Sequence, residues 1–362
     1  MPAVTLLVPG DLGTRTGGYG YDREILAGLA RLGWTTSVCA LDDSFPAPTP
    51  EARAHAVQAL AALPDDTLVL ADGLAFGVLD REAAHQAARL RFVGLVHHPL
   101  ALENGVPADR VPVLVASERR ALAGTRGVVV TSHATVASLA PYDVPADRIA
   151  VVLPGTPELP LARGTRGRGP IRTTAPVALL SVATLTPRKG HDVLVAALAR
   201  LAHLPWHLTL AGSVTMHAPT TAAVRSAIEA HGLVDRVTFA GDLDEAALRA
   251  AYDAADVFVL PTRHEGYGMA IAEAVAAGLP VVATPTGAIP ALVDDASGAL
   301  VPIGDVDALT AALARMVGDD AVRISLAAGA SRRRDTLPRW ADSAMAMDHA
   351  LRRFAANGIV QR

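Results

Sequence analysis

The chain has one cysteine, Cys39, in 362 residues. A lone thiol cannot close an internal disulfide, and it fits a reducing, cytoplasmic setting. Aromatic residues make up only 4%. Those of the first half, between Tyr19 and Tyr142, form no ribbon on which a long glycan would stack, which favours a small acceptor. Positive charge is not in excess either, since 32 Lys and Arg face 36 Asp and Glu for a net charge of −4. That leaves no overall footprint for nucleic acid. No apolar run approaches the roughly 20 residues needed to cross a bilayer. The start, MPAVTLLVPGD, lacks a basic segment and a cleavage site and reads as a first strand. Three motifs are also missing, G-x-x-x-x-G-K-[ST], H-E-x-x-H and G-x-S-x-G, so a P-loop, a helical zinc protease and a nucleophile elbow are excluded.

What remains is apolar and regularly punctuated. Hydrophobic residues are 51% of the chain and charged ones 19%, and the length implies two α/β domains. Short apolar runs at Val4–Val8, Thr35–Ala40, Thr67–Ala71, Phe92–Val96, Val128–Thr131 and Ile149–Leu153 read as buried parallel strands separated by helices. The pattern breaks over PGTPELPLARGTRGRGPIRT and resumes at Val177. Domains are therefore expected over residues 1–160 and 173–339, joined by a linker at 161–172. A final helix over 340–362 carries a Met345, Met347, Leu351, Phe354 stripe that reads as packing.

The second half is organised around Val257 to Ala283, a strand, a glycine turn, a helix and a second strand. Gly266 and Gly268 let the backbone approach a ligand closely. Glu265 precedes the helix, where free N–H groups favour an anion, and Glu273 follows on its first turns. Lys189 lies in a post-strand loop beside Gly190, where a lysine can hold a departing diphosphate. In the first half, the glycine-laden loop PGDLGTRTGGYG precedes a helix expected over roughly Asp22–Leu32, and its Gly17-Gly18 pair lets a substrate reach the backbone, while His97-His98 ends a strand where open α/β sheets bind ligands. Adjacent histidines point apart, so at most one faces that site. Zinc ligands at a useful spacing are missing. The Asp242/Asp244 and Asp305/Asp307 pairs precede helices and read as caps rather than as a metal site.

Together these residues resemble the retaining glycosyltransferases of family 4. P-T-R-H-E-G-Y-G-M-A-I-A-E-A carries their E-x7-E signature as Glu265 and Glu273, P-R-K-G their phosphate loop, and V-T-F-A-G-D-L their base-binding segment. Trp340 resembles the tryptophan before their terminal helix. The resemblance implies a GT-B arrangement: two Rossmann-like βαβ domains face each other across a cleft, the first binding the acceptor, and the terminal helix returns to it. It implies that Glu265 contacts the transferred sugar, Glu273 the ribose, and Lys189 the diphosphate. The N–H groups of Gly266, Tyr267, Gly268 and Met269 would meet sugar and phosphates, and Gly241 and Leu243 the base. His97 would contact the sugar from the first domain, beside Gly17 and Gly18. The co-substrate would be a nucleoside diphosphate sugar, with no metal and no other cofactor, and transfer would retain anomeric configuration.

One position departs from the family. Its usual arginine five residues before the lysine is Thr184 here, leaving Arg188 and Arg263 as replacements for the second cation. Alternatives on the same scaffold are a nucleotide-sugar epimerase, a phosphorylase, or a non-catalytic nucleotide-sugar sensor. Arg332, Arg333, Arg334, Arg352 and Arg353 read as a solvated face, with anionic lipid on the inner membrane face as the competing partner.

Overall fold

The computed structural model describes residues 1–103, 105–165 and 175–356. Among these, the chain forms two compact units, Met1–Gly155 with Pro338 onward, and Thr156–Leu337. Each contains a six-stranded sheet whose neighbouring strands are all parallel.

The first sheet comprises β1 (Ala3–Pro9), β2 (Thr35–Leu41), β3 (Leu68–Asp72), β4 (Arg91–Val96), β5 (Gly127–Val130) and β6 (Ile149–Val151), in the order β2-β1-β3-β4-β5-β6. The central strands β3 and β5 are buried throughout, as apolar runs in a doubly covered parallel sheet must be. β2 is an edge strand and mostly exposed, which explains its Thr and Ser content. The helix Gly17–Arg31 starts five residues before the expected position. Thr16 caps it by accepting from the Tyr19 N–H at 3.3 Å, so Gly17 and Gly18 form its first turn rather than a loop. Two further helices of this unit, Asp80–Gln86 and Val111–Ala123, were not anticipated; Pro112 sits in the first turn of the second, where proline is tolerated.

The terminal helix Trp340–Ala356 packs on this unit. Its Ala344 fills the notch at Gly28, where an added Cβ would collide, and Phe354 fills the one at Gly127. Ser343 Oγ donates to the Leu153 carbonyl at 2.7 Å, and Trp34 Nε1 to Asp348 Oδ1 at 2.6 Å. Met347, Leu351 and Phe354 are buried, but Met345 is 55% exposed and leaves the expected stripe. Residues 357–362 lie outside the described residues.

The second sheet comprises β7 (Val177–Val182), β8 (Trp206–Ala211), β9 (Val237–Gly241), β10 (Val257–Leu260), β11 (Val281–Ala283) and β12 (Gly298–Leu300), in the order β12-β11-β10-β7-β8-β9. Its core gathers Trp206, Leu208, Val257, Val259 and Leu309 with the aliphatic face of the helix His191–Arg200. Asp244 and Asp305 cap their helices through the N–H groups of Ala247 and Ala308, at 2.8 and 2.9 Å. β12 was not among the expected strands; its run Gly298–Leu300 opens on a glycine and lacks the β-branched residues that marked the others.

The unit boundary falls earlier than the expected linker. Residues 156–165 already belong to the second unit: the Ala162 N–H donates to the Ala277 carbonyl at 2.8 Å, and Thr165 and Arg163 bind Asp256 and Asp253. Proline and arginine content hid these specific bonds. The remainder of the expected linker, 166–172, lies outside the described residues.

Candidate active site

In each sheet the strand order reverses once, between β1 and β3 in the first and between β7 and β10 in the second. At such a reversal the loops leaving the carboxyl ends diverge and open a crevice. The candidate residues sit on those loops.

In the second unit the loop after β7 holds a turn, Pro187–Lys189, and the loop after β10 runs from Pro261 to Gly268. Backbone and side chains lace the two loops together. The Arg263 N–H donates to the Arg188 carbonyl at 2.6 Å, and Thr262 Oγ1 donates to the same carbonyl at 3.0 Å. Gly190 takes a left-handed backbone against the Pro261 carbonyl, with no room for a Cβ. Gly287, after β11, is equally confined by the carbonyl of Glu265, which packs backbone against the acid's own residue.

The laced loops bring two cations to one carboxylate. Lys189 Nζ pairs with Glu265 Oε1, and Arg188 Nη1 lies 3.9 Å from Glu265 Oε2 while donating to the His264 carbonyl at 2.9 Å. All three side chains are largely buried, at 15%, 18% and 10% exposure for Lys189, Arg188 and Glu265. Adjacency in sequence therefore does not make Arg188 point elsewhere. Arg263 is the residue turned away, held by Asp192 at 2.7 Å and the Pro187 carbonyl. Thr184 is half-buried in the same loop. Behind Lys189 lies a group the sequence pattern did not single out. His191 is 2% exposed, and burial together with the Lys189 charge lowers it to about 4, so it stays neutral.

The helix Met269–Ala276 starts directly after Gly268, the placement that lets Glu273 share the end of the sheet. Its first intrahelical bonds are made by Ile271 and Ala272 to the Gly268 carbonyl, so the earlier amides lie at the dipole-positive end. Tyr267 is buried, and Gly266 and Met269 are partly exposed. Tyr252 Oη lies 2.9 Å from Glu273 Oε2, and burial pushes that carboxyl up to about 7. On the far side of β7, Gly241 closes β9 in a left-handed conformation and its carbonyl accepts from the Gly212 N–H at 2.8 Å, with Leu243 half-buried beyond it.

In the first unit the two histidines after β4 part company. His98 pairs with Glu103. His97 turns inward: its Nε2 is 3.4 Å from Asp22 Oδ1 and 3.6 Å from Asp72 Oδ2. Tyr21 stands edge-on to the ring at 5.4 Å, and a Cβ at Gly18 would reach it at 3.6 Å. Buried Glu118 accepts the Leu100 N–H at 3.0 Å and so anchors the loop that carries both histidines. Asp22 and Asp72 escaped the sequence reading. A polar residue every 50 or 25 positions carries no motif, and Asp72 looks like the helix cap it also is. Among the described residues these three form the single acid and imidazole group compact enough to invite a metal ion, with ligand atoms within 4.8 Å of one another. Burial lowers the proton affinity of His97, but the facing Asp22 and Asp72 carboxylates outweigh it and raise it above the usual value.

Four of the five arginines of the basic face make contacts within the fold, and Arg332 is exposed. Arg333 and Arg334 donate to the carbonyls of Ala291 and Leu159, Arg353 to that of Ile149, and Arg352 pairs with Asp348 at 2.8 Å. Among the described residues no helix is long and apolar enough to cross a membrane.

Comparison with known proteins fits this geometry. Residues 176–319 match the family described as "Glycosyl transferases group 1". A D-inositol 3-phosphate glycosyltransferase of Xylanimonas cellulosilytica is 33% identical over 289 residues, 74% of this chain and 68% of that protein. Two further proteins of the same description align over 58% and 51% of their own length. Among solved structures, a sucrose-phosphate synthase from Thermosynechococcus elongatus superposes with a TM-score of 0.81 at 23% identity, covering 97% of this chain and 98% of that one. HepE of Anabaena, solved with UDP-glucose, superposes at 0.73 with 17% identity over 96% and 99%. The fold is the two-domain Rossmann-like GT-B fold, and the chain belongs to the group 1 glycosyl transferases.

Proposed function

We propose that this transferase moves a hexosyl group from a nucleoside diphosphate sugar to an acceptor hydroxyl, with retention at the anomeric carbon and without a metal. The observation that carries the reading is the convergence of Arg188 and Lys189 on Glu265 at the strand-order reversal of the second sheet. Two cations beside the positive end of a helix suit a diphosphate, whose charge grows as the bond to the sugar breaks. As the diphosphate takes up Lys189 and Arg188, Glu265 passes from ion pairing to hydrogen bonding with a sugar hydroxyl. Arg188 and Lys189 supply the charge neutralisation that a divalent ion would otherwise bring. In this reading Glu273, backed by Tyr252, accepts from ribose hydroxyls, and the Gly241–Leu243 segment meets the base.

A uridine or guanosine diphosphate fits the relatives. HepE was solved with UDP-glucose, and a mannosyltransferase of Mycolicibacterium smegmatis, 32% identical over 170 residues, is described as GDP-mannose-dependent. The first unit is proposed to hold the acceptor.

The test is a thermal-shift screen of nucleoside diphosphates and their sugars, followed by proton NMR of the product formed with a polyol acceptor. A cognate donor should raise Tm and yield product with the donor's anomeric configuration, undiminished by EDTA. Inverted product, or turnover abolished by EDTA and restored by a divalent ion, would contradict the reading. Isomerised sugar appearing without acceptor would point to the epimerase instead.

A further inference from the structure

We propose that Asp22 is a positioning residue that fixes the His97 ring by ion-pairing its inner nitrogen, Nε2. Asp22 lies on the second turn of the helix Gly17–Arg31 and is 1% exposed. Neither of its carboxylate oxygens has a hydrogen-bond partner among the described residues. An ionised carboxyl removed from water without hydrogen bonds is costly, and such a group is retained where a charge faces it. The facing group is His97 Nε2 at 3.4 Å.

Asp72 provides the contrast that isolates Asp22. It too is 1% exposed, but its Oδ1 accepts the Leu74 N–H at 2.8 Å and caps the helix Gly73–Phe76; only Oδ2 turns to His97, at 3.6 Å. Asp72 thus has a structural reason to be an acid, whereas Asp22 has none apart from the imidazole. The other contacts of the ring fix its tilt rather than its charge. Tyr21 stands perpendicular to it and is itself tied to the Val152 carbonyl at 3.1 Å, and Gly18 leaves the ring clearance. About a fifth of the His97 side chain stays exposed, while Nε2 is buried. A ligand therefore meets the outer edge of a ring that is clamped from inside.

The charges around the ring come from several elements: Asp22 on the first helix, Asp72 after β3, and Glu103 beyond the loop that follows β4, with Tyr19 near both aspartates. Burial alone would lower His97, and Asp22, then Asp72 and Glu103, outweigh it, so the imidazole holds its proton above the usual pH. Burial and the Asp22 charge push Asp72 up to about 7 against the pull of His97. Removing the Asp22 charge should thus release the His97 proton at lower pH and leave Asp72 as its sole close counter-ion.

The experiment compares wild-type protein with Asp22→Asn and Asp22→Glu, reading the His97 ring by long-range ¹H–¹⁵N NMR across a pH titration. In Asp22→Asn the proton affinity of His97 should fall at least tenfold, and Asp22→Glu should recover part of it. Asparagine removes a buried charge at constant shape, so the fold is expected to survive, and the melting curve checks this. A His97 titration unchanged in a folded Asp22→Asn protein would overturn the inference. So would Mg²⁺, Mn²⁺ or Zn²⁺ binding in wild-type protein with selective perturbation of the His97 signals. The kinetic arm rests on the transferase reading: Asp22→Asn should lower kcat tenfold or more, leave the donor KM within twofold, and move the acid limb of the pH profile. Because the NMR arm needs no turnover, failure of the inference and failure of the transferase reading are separable.

Discussion

The two sheet reversals handle charge in opposite ways. In the second unit, two cations surround one acid, Arg188 and Lys189 on Glu265. In the first, two acids surround one imidazole, Asp22 and Asp72 on His97. The first arrangement is ready for an anion that can displace the carboxylate from its cations. The second repels anions and suits hydroxyl groups, which donate to carboxylates. This contrast of charge supports our proposal that a diphosphate donor is held in the second unit and an uncharged polyol hydroxyl in the first.

The comparison can be broken by substitution, beginning with the acid at the centre of the cationic site. Glu265→Gln should reduce transfer by at least ~10³-fold, with nucleotide diphosphate affinity kept within a few-fold, as steady-state kinetics and calorimetry would show. Comparable turnover in the variant would remove Glu265 from the chemistry. Lys189→Ala should cost about 10²–10³ in kcat. Arg188→Ala should cost less, because its guanidinium stands farther from the carboxylate, and Arg263→Ala should leave kcat near wild type. An Arg263 effect larger than that of Arg188 would reverse the assignment of the second cation. Phe354→Ala tests the first unit's scaffold instead: opening the notch above Gly127 should destabilise that unit by about 3–5 kcal/mol by denaturant titration, with the second unit unaffected.

A smaller effect is expected at Glu273. Its carboxyl is raised by burial from 4.5 to about 7, so the protonated form is the one the folded protein favours. The stability from this group is complete below pH 4.5 and is lost as pH rises towards 7. Nucleotide binding should run the other way, weakening below about 7 as the ribose-accepting carboxylate takes up a proton. Glu273→Gln should flatten both trends and weaken nucleotide binding by about tenfold, one polar contact's worth. A pH-independent affinity in wild-type protein would detach Glu273 from the ribose.

The same contrast explains what the sequence disclosed. The cationic site was legible because its parts are contiguous: Lys189 beside Gly190, and Glu265 and Glu273 on one strand-turn-helix. Chain connectivity alone brings those acids to one sheet end. The imidazole cluster was only one-third legible. His97 stood out at a strand terminus, but Asp22 looks like any polar helix residue and Asp72 like any cap, and only the β1-β3-β4 neighbourhood joins them. Strands were read well because buried parallel strands are uninterrupted apolar runs. Helix starts were read less well, since Thr16 caps a run of glycines that looks like loop, and the helix with Pro112 in its first turn was not anticipated. That Arg188 rather than Arg263 joins Lys189 at Glu265 required the turn at Pro187–Lys189, whose geometry composition does not encode.

The most direct test is calorimetric titration of UDP and GDP into wild-type protein, the Arg188→Ala/Lys189→Ala double variant, and Asp22→Asn. One of the two nucleotides should bind the wild-type protein and Asp22→Asn with the same Kd and lose at least a hundredfold in affinity for the double variant. Equal affinity for wild-type protein and the double variant would contradict the assignment of the diphosphate to the second unit.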